Sequence, residues 1–105
     1  MRDAVIVGAV RSAVGKKNGL LRGYHPVELG GHVLRELMQR CHVPASQVDQ
    51  VILGCVSQVG EQGANVARQA LLQAGFPKEV PGTSIDFQYG SSQHAVHLAA
   101  AVIES

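Results

Sequence analysis

Tryptophan is absent, and the aromatic complement is two tyrosines and two phenylalanines. Any core must therefore be assembled from Val, Leu, Ile and Ala. Charge is sparse as well: charged residues make up 16% of the chain and the formal net charge is +1. The longest basic run is Lys16-Lys17, which offers no footprint for nucleic acid or an anionic membrane surface. Cysteine is limited to Cys41 and Cys55. Their spacing matches no CxxC pattern, so neither a disulfide framework nor a metal motif is expected, and both are read as reduced thiols. No apolar run approaches the ~20 residues of a membrane span, and Ala4-Val5-Ile6-Val7 behind Arg2-Asp3 is too short for a signal segment. A cytoplasmic protein is the expectation. With 46% apolar residues over 105 positions, the chain has the material for one small domain and is not disordered.

What is present alternates between two periods. Asp3 to Val10 is a β-branched run that reads as a buried strand ending at Arg11-Ser12, ahead of a loop from Gly15 to Gly23. Pro26 suits a first helical turn, and Val27, Leu29, Val33, Leu34, Leu37, Met38 and Cys41 follow near a 3.6-residue period until Pro44. Ser46 to Asp49 read as a turn, Val51 to Val56 as a second strand, and Gly60 and Gly63 punctuate the next loop. Ala64 to Ala74 reads as a helix stopped by Gly75 and Pro77, Thr83 to Gln88 as a third strand, and Ser91 to Ile103 as a last helix. The order βαβαβα predicts an α/β fold: right-handed crossovers, a parallel sheet, and helices on its faces. The last helix is apolar nearly all round through Ala95, Val96, Leu98, Ala99, Ala100, Val102 and Ile103, as for a helix held between two layers. The chain is accordingly expected to be a piece of a larger layered fold or to need a partner.

The junction Ser84-Ile85-Asp86-Phe87-Gln88-Tyr89-Gly90-Ser91-Ser92-Gln93-His94-Ala95-Val96 reads as strand, sharp turn and helix start, the layout of a nucleophile elbow. The residue before the turn is presented to unpaired N–H groups and the positive end of a helix dipole, a setting that favours an anion. A thiolate would suit that position and an oxyanion beside it; the residue here is Tyr89.

Three segments together carry a family resemblance. Ala4 to Lys16 resembles the thiolase opening strand and its Val-Arg-Thr-Pro-like turn; Val48 to Gly54 followed by Asn65-Val66-Ala67-Arg68-Gln69-Ala70 resembles the second strand and its crossover helix; Ile85 to Val96 resembles the nucleophile segment in the Gly-Ser-Ser-Gln form of degradative acyl-CoA thiolases. The resemblance covers essentially the whole chain and implies that residues 1–105 form an incomplete thiolase-like N-terminal domain. It implies cleavage of 3-ketoacyl-CoA by CoA, or the reverse Claisen condensation, with CoA or acyl-CoA as substrate and no tightly bound cofactor. In the family a cysteine at the position of Tyr89 accepts the acyl group, while a base histidine, an acid cysteine and an oxyanion-hole histidine lie in later motifs that these residues do not include. By position, Gly90 permits the turn and Ser91 begins the helix. Self-association or a thiolase-like partner chain is implied too.

Two departures stand out, Tyr89 and Phe87, the latter where related degradative sequences commonly carry a basic residue. A phenol ordinarily ionises near pH ~10 and its ester is discharged to CoA less readily than a thioester. The expected outcome is a thiolase-like piece that is inactive alone. Two alternatives stay open: a non-catalytic subunit or scaffold of a thiolase-like complex, and a lyase component in which Tyr89 does acid–base work.

Each remaining residue of interest has an ordinary reading beside the chemical one. Tyr89 is simplest as a side chain filling an emptied nucleophile pocket. His94 and His97 share a helical face but lack the further ligands zinc needs, so packing is the simpler role and no metal is expected. Asn65 and Arg68 either buttress the elbow or serve as a helix cap and a solvated charge. Cys55 reads as a buried inert thiol, Cys41 as structural or exposed. Gly15-Lys16-Lys17-Asn18-Gly19 lacks the spacing of a phosphate-binding loop.

Overall fold

The computed structural model describes residues 2–105. Three helices and two strands make up its regular structure: α1 (Pro26–Cys41), β1 (Val51–Gly54), α2 (Val66–Gln73), β2 (Gly82–Ile85) and α3 (Ser91–Glu104), with single 3-10 turns at Ala45–Gln47 and Gly60–Gln62. Each boundary has a local cause. At α1, the Val27 N–H donates to His25 Nδ1 at 3.1 Å, Pro26 stands in the first turn, and His42 closes the other end in the left-handed conformation. At α2, Asn65 caps the start, and Gly75 with φ 85° ends it. The Phe76 N–H then donates to the Leu71 carbonyl at 3.0 Å, so the chain reverses and buries Phe76 against the helix it has left.

The strands pair in parallel, Val51 opposite Gly82 through Gly54 opposite Ile85, as βαβ order requires. Side chains alternate along β1. Val51 and Leu53 face a core with Ala67, Leu71, Phe76 and Val80, against which Leu34 and Met38 of α1 also pack. Gly54 faces the opposite way, onto the backbone of Ser91 and Ser92, and Ile52 lines a recess with Ala95 and Ala99 of α3. Helices therefore cover both faces of the sheet, α1 and α2 on one side and α3 on the other. Gly30 and Gly31 let α1 approach α2 closely, since a Cβ there would meet Ala70 Cβ at 3.1 Å and Gln73 Cγ at 2.9 Å.

Several expected elements differ. The run Asp3 to Val10 is not a strand, and Val5, Ile6 and Val7 are largely exposed. A strand exists only where a neighbour takes its N–H and C=O groups, and among the described residues β1 is paired with β2 alone; the segment instead lies by the end of α1, with Gly8 against Cys41. β1 stops at Gly54 rather than Val56, and β2 spans Gly82–Ile85 rather than Thr83 to Gln88, because the chain beyond Ile85 already bends into the turn before α3. The all-round apolar character of α3 meets only one layer: Ala95 is buried, while Val96, Val102 and Ile103 are about half exposed. Among the described residues no helix is long and apolar enough to cross a membrane.

Candidate functional site

The turn between β2 and α3 is closed by two hydrogen bonds. The Gly90 N–H donates to the Phe87 carbonyl at 2.7 Å, and the Phe87 N–H donates to Ser91 Oγ at 2.9 Å. Ser91 is buried, so its hydroxyl braces the turn and is not presented to solvent. α3 starts at Ser91, with Gly90 as its N-cap residue at φ −135° and no side-chain cap. The left-handed residue is Tyr89, at φ 72°. A bulky side chain at positive φ costs about 1–2 kcal/mol, and strain of this kind at a strand-to-helix turn is how a nucleophile elbow presents its residue.

Tyr89 is fully exposed, so the reading that it fills an emptied pocket fails within this chain: its backbone conformation carries the ring away from sheet and helix, and no wall reaches it. Phe87 turns back instead and stacks on His94, with ring centroids 4.3 Å apart and planes 16° apart. His94 is thereby engaged in packing. Among the described residues no group of three or more His, Cys, Asp or Glu side chains is placed to hold a metal ion.

The strand that delivers the turn is held by a polar brace. Asn65 Oδ1 accepts from the Arg68 N–H at 3.3 Å and from Ser84 Oγ at 2.8 Å, and its Nδ2 donates to the Gly82 carbonyl at 2.8 Å. Ser84 Oγ also accepts from the Ala67 N–H at 2.9 Å, and Arg68 Nη1 donates to the Val80 carbonyl at 2.6 Å. Asn65 is thus a helix cap and also a clamp on β2, and Arg68 anchors the approach to β2 rather than standing solvated. The capping role was visible in an Asn ahead of an apolar run; the part of Ser84 was not, because it depends on strand register. Cys55 lies just past β1, half-buried, its N–H donating to the Ile85 carbonyl at 2.8 Å. Cys41 is half-buried at the end of α1. Neither thiol is brought to the elbow by a contact seen here.

The strain at position 89 can be measured. Tyr89→Gly removes the positive-φ penalty and loses no burial; after allowance for the looser unfolded chain, a gain of about 0.5–1 kcal/mol is expected, a rise of about 4 °C in Tm. Tyr89→Ala keeps the β-carbon and should give no such gain.

Comparison with known proteins places the whole arrangement. A family model described as "Thiolase, N-terminal domain" matches residues 4–105. Over 105 residues the chain is 48% identical to a steroid 3-ketoacyl-CoA thiolase of Mycobacterium tuberculosis, covering 100% of this chain and 26% of that protein. It is 45% identical over 104 residues to an acetyl-CoA acetyltransferase of Syntrophomonas wolfei, covering 99% of this chain and 26% of the relative. A 3-ketoacyl-CoA thiolase of Acinetobacter baumannii is 45% identical over 103 residues, with 97% and 26% covered. The chain spans about a quarter of the length of these curated relatives.

Proposed function

The chain belongs to the thiolase N-terminal domain family, and from that premise we propose that it forms the elbow-bearing part of a thiolase-type acyltransferase fold acting on CoA thioesters, with position 89 as the acyl-accepting position. The observation that supports this reading is the conformation of residue 89: left-handed at φ 72°, fully exposed, and immediately ahead of the uncapped start of a 14-residue helix. At that place the N–H groups of the first helical turn and the helix dipole favour negative charge. A cysteine there would be a nucleophile for an acyl group, released later to the thiol of CoA; a tyrosine is not its equivalent. The chain alone is therefore a non-turnover member of this arrangement. A thiolase-like partner, or a second copy, would cover the exposed side of α3.

Two measurements test the proposal. Incubated with acetoacetyl-CoA and CoA, the purified chain should leave the enolate absorbance at the rate of a blank; CoA-dependent decay that is lost on changing Tyr89 would overturn it. In the Tyr89→Cys variant, the new thiol should be alkylated by iodoacetamide at pH ~7 several-fold faster than a thiol introduced by Ser105→Cys, because a helix N-terminus favours thiolate. Equal rates would mean that position 89 is not an activating position, and thiolysis should stay at the blank level in both variants, a nucleophile without its base losing most of the catalytic gain.

A further inference from the structure

Charge is unevenly divided along the chain. Residues 1–42 hold seven Lys and Arg against three Asp and Glu, while residues 43–105 hold two against five. The fold gathers part of that basic excess around one cavity, away from the elbow. Between the segment Val10 to Ala13 and the outer face of α1 lies a recess of about 260 Å³. Leu21, Leu29 and Val33 contribute apolar lining, while Arg11, Arg40, His32 and Tyr24 contribute donors, with Glu36 the one carboxylate. A shallow, open depression on the same segment is again lined by Arg11 and Arg40, so both residues border the same stretch of surface.

Their charges are poorly compensated. Arg11 has no ion-pair partner among the described residues, and its hydrogen bond to the Ser12 carbonyl, at 3.3 Å, uses one of five N–H donors. Arg40 reaches Glu36 at 3.5 Å with both side chains substantially exposed; an exposed pair of this kind contributes only about 0–1 kcal/mol and yields readily to a stronger anion. Two arginines on the rim of one recess can offer their forks to the several oxygens of a phosphate, a better match than a single carboxylate. The apolar lining calls for more than a bare ion, and about 260 Å³ exceeds the ~150 Å³ of an apolar cavity that takes up a benzene ring, leaving room for a phosphate.

We propose that this recess is a binding site for a small organic phosphate monoester, its phosphate held by Arg11 and Arg40 and its apolar body seated on Leu29 and Val33. The site stands independently of the elbow and of any acyl transfer. Calorimetric titration of the purified chain with phenyl phosphate, inorganic phosphate and benzyl alcohol tests it at about 20 mM salt, where exposed charges are little screened. Phenyl phosphate should bind, inorganic phosphate several-fold more weakly, and benzyl alcohol not measurably. Arg11→Gln and Arg40→Gln should each weaken phenyl phosphate about tenfold, while Lys78→Gln, which alters a cation elsewhere, should change nothing. Glu36→Gln should tighten binding, because it removes the one competing carboxylate; a merely structural role for Glu36 predicts no gain. Circular dichroism melting confirms that each variant is folded. Binding unaffected by both arginine substitutions, or inorganic phosphate binding as tightly as the ester, would overturn the assignment.

Discussion

Gly54→Ala is expected to unseat the start of α3 and lower Tm by about 12 °C or more. The added Cβ would stand 2.5 Å from Ser91 C and 2.8 Å from Ser92 Cα, distances at which backbone has to move. No flexible side chain is available to give way, so the cost lies at or beyond the upper end of overpacking, about 3 kcal/mol, and each kcal/mol shifts Tm by about 4 °C or more in a domain of this size. The damage should be local before it is global. Amides of the first turns of α3 should exchange faster, because Gly54 is the seat on which the elbow rests, while the core between α2 and β1 stays protected. Gly23→Ala serves as the control: nothing lies within 4 Å of a Cβ there, and Tm should be unchanged. A Gly54→Ala protein with wild-type melting and exchange would mean that α3 does not start against β1.

How much of this was legible beforehand depends on whether a feature is set by neighbours in sequence or by neighbours in space. α1 was readable to the residue at its start, because Pro26 and a 3.6-residue apolar period are local, and the Gly75 stop of α2 was readable for the same reason. The parallel pairing followed from element order. The strand expected over Asp3 to Val10 was not realised, since β-branched composition supplies the propensity but not the partner that takes the ladder hydrogen bonds. The elbow itself was visible as a strand, a turn and a helix, yet the sequence suggested that a glycine would take the strain, and the structure puts positive φ on Tyr89 and leaves Gly90 at φ −135°. The recess at Arg11 and Arg40 was invisible: the two residues are distant in sequence, and each alone is an ordinary surface arginine.

Leu71→Ala should be the most destabilising truncation in the chain, by about 3 kcal/mol. Leu71 is 0% exposed and, among the described residues, is the one large side chain below 2%. It belongs to the apolar cluster that joins α2 to β1 and to the segment feeding β2, with Val51, Phe76 and Val80. Burial of a leucine supplies about 1.5–3 kcal/mol, and its removal adds the cost of whatever cavity remains, giving about 2–5 kcal/mol for such truncations. The middle of that range applies because Met38 and Leu34 border the site only partly buried, and Met38, unbranched and adaptable, can lean into part of the space. Urea unfolding followed by circular dichroism measures the loss, and Leu72→Ala sets the scale: that side chain is about half exposed and should cost well under 1 kcal/mol in the same helix. Where Leu71→Ala fails to fold at all, Leu71→Val is the measurable version, with an expected loss of about 1 kcal/mol. Equal losses at positions 71 and 72 would place the core on the wrong face of α2.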